Sequence, residues 1–111
     1  MFLAFAIDML SYSGFQHHHA DSTKLKVFKS HFGASPLVVQ ELWEGMTDNG
    51  MIQRHKRVAP SHLLWCLHFL FVYPSETVGS ATCRTSRSTY RKWVWKVIGE
   101  LELLSHIEVR S

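Results

Sequence analysis

Apolar positions recur along this chain at helical spacing, and short clusters of Gly, Pro and Ser separate the resulting segments. Apolar residues at 25, 28 and 32, with Val27 beside them and Lys24, Lys26 and Lys29 on other faces, predict a helix over 24–32. Gly33 ends it as a C-terminal glycine. Ser35-Pro36 restarts a helix, because Ser caps free N–H groups and Pro is tolerated at the first helical position. That second helix reaches about Gly45, with Val38, Val39, Leu42 and Trp43 as its buried stripe. Residues 47–60 read as the long loop of the domain, and its basic cluster Arg54, Lys56 and Arg57 reads as solvated ahead of the alternative, contact with phosphate. Residues 61–73 are apolar nearly all round, the signature of a central helix enclosed by its neighbours, and Pro74 stops them. This places Leu64 and Trp65 in the core, His68 as a hydrogen-bonded core histidine and Cys66 as a small packed hydrophobe. A short helix follows from Ser75 to near Cys83, weakened by Gly79 at roughly 1 kcal/mol against Ala. Arg84-Thr85 is a turn, Ser86 an N-cap, and a last helix runs from Arg87 to about Leu104. About five helices make an all-α fold, a small bundle with a C-terminal helix–turn–helix.

At about 100° per residue, the last helix has two faces. Tyr90, Val94, Val97, Leu101 and Leu104 form a core stripe flanked by Trp93 and Ile98. Ser88, Arg91, Lys92, Trp95 and Lys96 lie opposite, with Arg87 at the N-terminal edge. No acid stands between Thr77 and Gly99, while Arg84, Arg87, Arg91, Lys92 and Lys96 bring five positive charges. A recognition helix carries its base and phosphate contacts in this way, on its N-terminal half. Trp95 in the middle of a basic face argues for a partner over plain solvation. The candidate DNA contacts are therefore Arg84, Ser86, Arg87, Ser88, Arg91, Lys92, Trp95 and Lys96.

Composition changes this picture little. The chain has 111 residues, 46% hydrophobic and 19% charged, which suits one folded domain. A net charge of +3 permits a polyanionic partner without demanding one. Cys66 and Cys83 miss any paired zinc spacing and read as reduced, hence intracellular. The apolar residues 1–10 lack a basic lead and contain Asp8, so they read as a packed or partly frayed leader, not a signal peptide. Residues 11–23 read as a polar linker, and His17, His18 and His19 within it do not build a tetrahedral metal site. The run 63–73 is too short to span a membrane. No spacing of carboxylates suggests a two-metal centre, and no nucleophile has a base near it in sequence, so neither catalysis nor a cofactor is expected. Cys83 has only a basic neighbourhood that would favour its thiolate.

Three blocks carry a resemblance: HFGASPLVVQELW at 31–43, HLLWCLHFLFVYP at 62–74 and TYRKWVW at 89–95. In order and spacing they resemble the N-terminal region of DDE transposases, more narrowly the Harbinger-like group. In that family this region is a helix–turn–helix DNA-binding domain ahead of an RNase H-like nuclease domain. The resemblance implies a linker-preceded DNA-binding domain over 24–104 and the start of a downstream domain over 105–111. Residues 107–110 have the alternation of a first strand. Where the family usually has Gly-Val-Ser before the recognition helix, this chain has Arg84-Thr85-Ser86. Binding of double-stranded DNA in the nucleus is the function it implies. The alternative is a helical interaction module that docks a protein, or a second copy, through Trp95.

Overall fold

A computed structural model describes residues 2–10 and 21–110 of the chain. Among them are seven helices and no strand: α1 (Phe2–Leu10), α2 (Asp21–Phe32), α3 (Pro36–Asp48), α4 (Met51–Arg54), α5 (Pro60–Val72), α6 (Glu76–Thr82) and α7 (Arg87–Arg110). The fold is a small all-α bundle, as the apolar spacing requires.

Local chemistry sets most boundaries. Gly33 caps α2 in the left-handed region at φ 75°, its N–H donating to the Lys29 carbonyl. Ser35 and Pro36 open α3 as expected, the Ser35 hydroxyl accepting from the Val38 N–H. Pro60 opens α5 at its first position, where the imidazole Nδ1 of His62 accepts from the Ala59 N–H at 2.9 Å. The α5 helix ends at Tyr73, which caps it at φ 58° just ahead of Pro74.

The core is built around α5, which packs against α1, α2, α6 and α7. Leu63, Leu64 and Cys66 are fully enclosed, while Trp65 is only partly buried against the core. Into this centre come Phe28 and Phe32 of α2, Val39 and Met46 of α3, Met51 of α4 and Tyr90, Val94 and Val97 of α7. The apolar leader joins them. Phe2, Ala6 and Leu10 of α1 are buried in the same cluster, so the bundle extends beyond 24–104 and residues 2–10 are packed, not frayed.

Four other expectations are corrected. The linker read over 11–23 falls outside the described residues as far as 20, along with His17, His18 and His19, and residues 21–23 already belong to α2. The loop read over 47–60 is shorter, because α3 continues past Gly45 to Asp48 and Met51 is buried in a one-turn helix. Arg54 in that turn is exposed but does not simply face solvent: it forms a bidentate ion pair with Glu100, with a 2.8 Å Nε bond, and His55 Nε2 lies 3.1 Å from the same carboxylate. The Glu100 side chain is only 3% exposed, and the Arg54 guanidinium holds its carboxyl below the usual value. Finally, residues 107–110 continue α7 and are not a strand, since no partner strand exists among the described residues to pair with one.

His68 is buried as expected but not hydrogen-bonded through Nδ1. Its ring stacks on His31 of α2, with centroids 5.8 Å apart and planes at 12°, and both Nδ1 atoms lack a partner. Burial, then the neighbouring His31, pushes the His68 pKa down to about 4. His62 stacks on Trp93 at 4.1 Å and is likewise lowered to about 4, by burial and then by Lys92. Both imidazoles therefore fold neutral, and the unfolded chain takes up protons first as pH falls. The stability that these two neutral rings contribute is fully present above pH 6.5 and is lost between there and about pH 4. Tm should fall steadily from pH 7 to pH 4.5, and less steeply in His68→Phe; a Tm unchanged over that range would contradict neutral burial of these rings.

Candidate nucleic-acid interface

The interface expected from the sequence is built on α6, the turn after it and the first half of α7. Ser75 caps α6, its hydroxyl accepting from the Val78 N–H at 3.2 Å. The helix then closes in a Schellman motif: the Thr85 N–H donates to the Ser80 carbonyl and the Arg84 N–H to that of Ala81. Arg84 sits at the left-handed position of this motif, φ 56°, where glycine is the usual residue. Ser86 then caps α7 as expected, accepting from the Thr89 N–H at 3.2 Å, while its carbonyl accepts the first helical bond from Tyr90.

Gly79 is what lets the two helices meet. The Tyr90 hydroxyl and ring lie against the place a Cβ would occupy on Gly79, inside ordinary contact distance. Its low helix propensity is thus traded for close approach. The Tyr90 hydroxyl is enclosed there without a hydrogen-bond partner, and burial raises its pKa to about 12. Tyr90, Val94 and Val97 fill the inner face of α7, Trp93 is buried on its flank, and Ile98, Leu101 and Leu104 pack against the core further on.

The opposite face is exposed at Arg87, Ser88, Arg91, Lys92 and Trp95, with Arg84 exposed on the turn and Lys96 half-buried. These residues are not equivalent. Arg91 forks onto Glu76 of α6 through two bonds of 2.7 Å, an exposed bidentate pair that fixes its geometry and neutralises its charge. The guanidinium holds the Glu76 carboxyl below its usual value. Lys92 and Lys96 converge on the Trp93 ring, their Nζ atoms 5.4 and 4.8 Å from its centroid. The Ser86 hydroxyl serves as the N-cap, with that of Ser88 at 3.3 Å. Trp95 is 58% exposed and leans on Phe69 of α5, ring centroids 6.2 Å apart.

Glu76 was missed as part of this face. It is the last acid before the acid-free run, 15 positions before Arg91, and only the docking of α6 on α7 brings the two together. Beside the turn lies a cleft of about 330 Å³ lined by Phe5, Met9, Ser61, Leu64, Trp65, Thr82, Cys83 and Arg84. Its thiol is not activated by the basic neighbourhood: burial dominates and raises the Cys83 pKa to about 12. Among the described residues, no three His, Cys, Asp or Glu side chains gather as metal ligands, and no helix is long and apolar enough to cross a membrane.

Compared with known proteins, the chain matches no family model, no curated protein and no solved structure.

The approach of α6 to α7 yields a direct test. Gly79→Ala should destabilise the bundle by about 1–3 kcal/mol through overpacking, despite a gain of ~1 kcal/mol in helix propensity. Tyr90→Phe, which removes a buried hydroxyl without a partner, should be neutral or stabilising and should recover part of that loss in the double variant. Thermal melts of the three variants check this; Gly79→Ala raising Tm, as propensity alone dictates, would contradict the close packing.

Proposed function

We propose that this bundle binds double-stranded DNA through the N-terminal half of α7, in the manner of the helix–turn–helix region of Harbinger-like transposases, and that it does so without catalysing a reaction or holding a cofactor. The observation that carries the reading is the acid-free basic face: Arg84, Arg87, Arg91, Lys92 and Lys96 with no acid between Thr77 and Gly99. Its supports are physical. A tight, hydrogen-bonded turn fixes α7 relative to α6, the inner face of α7 is anchored in the core, and the outer face presents cations at helical spacing. Phosphates are met by Arg and Lys, and the N-terminal residues of a recognition helix reach base edges in the major groove. Arg87 and Ser88 are the base-reading candidates, Lys92, Lys96 and Arg84 the phosphate contacts. On this reading the protein acts in the nucleus.

Glu76 modulates the face on this account. It pairs with Arg91, and Arg84, Arg87, Lys92 and Lys96 are the other cations of the face, each expected to contribute about 0.9 to the salt dependence where it meets a phosphate. The logarithm of the binding constant should thus fall against the logarithm of salt concentration with a slope of about −4. Lys92→Ala should flatten it by about 1, while Glu76→Gln should release Arg91, tighten binding and steepen the slope by about 1. Fluorescence anisotropy with a labelled duplex from low to moderate salt measures all three. Slopes near zero in every variant would favour the alternative, a protein partner or a second copy docked on the exposed Trp95.

A further inference from the structure

The C-terminal end of α5 and the middle of α7 bring three aromatic rings together at the surface. Phe69 and Tyr73 stack with centroids 5.6 Å apart and planes at 24°, and Phe69 meets Trp95 at 6.2 Å. Phe69 is half-buried and acts as the floor, while Tyr73 is 77% and Trp95 58% exposed. The nearby Phe71 is also exposed, but its ring lies beside Gly33 of the α2 cap and is not among the three that meet. Tyr73 is also held in an uncommon conformation. It occupies the left-handed cap of α5 at φ 58°, pinned by a 3.0 Å bond from its N–H to the Phe69 carbonyl, where glycine would sit without strain. That cap leaves the Tyr73 ring open at the surface.

The charge around the rings decides what the partner is. Arg91 and Lys92 precede Trp95 by four and three residues on α7, so they share its face, and Lys96 follows it. Of the acids nearest these residues in sequence, Glu76 pairs with Arg91 and the buried Glu100 pairs with Arg54. An apolar protein surface gains nothing from this cationic border, whereas a chain that alternates planar bases with phosphates matches both elements.

We propose that Phe69, Tyr73 and Trp95 form a stacking platform for unpaired nucleobases of single-stranded DNA, with Lys92 and Lys96 meeting the strand's phosphates. Bases stack on the exposed faces of Tyr73 and Trp95, and Phe69 holds those rings in place. Duplex contacts along α7 bring such a strand to the platform, as at a frayed end or an overhang, so the approach rests on the duplex reading while the stacking has its own readout.

Two labelled single strands of about 12 nucleotides separate stacking from charge: oligothymidylate and an abasic strand of equal length. At low salt the parent protein should bind the base-bearing strand about tenfold more tightly than the abasic one. Trp95→Ala and Tyr73→Gly, both at exposed positions and the latter relieving the left-handed backbone, should keep the parent Tm within a few degrees and reduce that preference to threefold or less. Equal affinity for the two strands, no binding of either, or a preference that survives in both variants overturns the platform. Equal affinity accompanied by loss of self-association in the variants would identify the rings as a contact between copies instead. A companion duplex reports separately: absent duplex binding with an intact preference for bases would sink the duplex reading and leave the platform standing.

Discussion

A helix without a polar face has to be wrapped, and α5 imposes that requirement on the whole chain. Its sequence, PSHLLWCLHFLFV, offers no side that tolerates water along its first three turns. Four helices accordingly lie against it, and three of them contribute an apolar stripe: Phe2, Ala6 and Leu10 from α1, Phe28 and Phe32 from α2, and Tyr90, Val94 and Val97 from α7. The orientation of α7 follows from this demand. Once its inner face is committed to α5, the basic residues have only the outer face to occupy. The wrapping stops before the end of α5, where Leu70, Phe71, Val72 and Tyr73 stay exposed, and that unfinished end is where the rings of Phe69 and Tyr73 meet Trp95.

Two polar arrangements fix what apolar packing leaves adjustable. Glu100, deep in the bundle, is held by Arg54 and His55 and ties the short α4 turn to the middle of α7. A carboxylate so enclosed is tolerable only when paired, so the loss of Arg54 would leave an uncompensated buried charge. Glu76 does the outer equivalent, linking α6 to α7 through Arg91 in a solvated setting where such a pair contributes little stability. Its importance is electrostatic and positional: it subtracts one charge from the basic face and holds one guanidinium still.

Much of this organisation is legible in the sequence because it depends on neighbours within a few residues. Ser35-Pro36, Ser75 and Ser86 cap helices, Gly33 ends one, and the stripe from Tyr90 to Leu104 repeats at 3.6 residues, all local signals. What could not be read depends on distant parts of the chain. Gly79 is weak by propensity and necessary by contact with Tyr90, eleven positions further on. His68 looks like a histidine in need of a hydrogen bond, yet its neighbour is another imidazole from α2. Residues 107–110 alternate like a strand, but alternation forms no strand without a partner to pair with, and helix propagation from α7 prevails. Glu100 did carry a signal, since it falls within the apolar stripe between Val97 and Leu104, and an acid there demands a cation to pair with it. Of the candidate contacts, the exposure of Arg87, Ser88, Lys92 and Trp95 was legible from the helix wheel, whereas the capture of Arg91 by Glu76 was not.

The central proposal is that duplex DNA is met by the outer face of α7's first half. Titrating the isotopically labelled protein with duplex DNA at low salt, and following backbone amide and tryptophan indole resonances, tests it most directly. The account predicts shifts concentrated at Arg84, Arg87, Ser88, Lys92 and the Trp95 indole, while Val39 and Met46 of α3 and Phe28 of α2 stay unperturbed. Shifts centred on α2 and α3, or none at any DNA concentration, would contradict it.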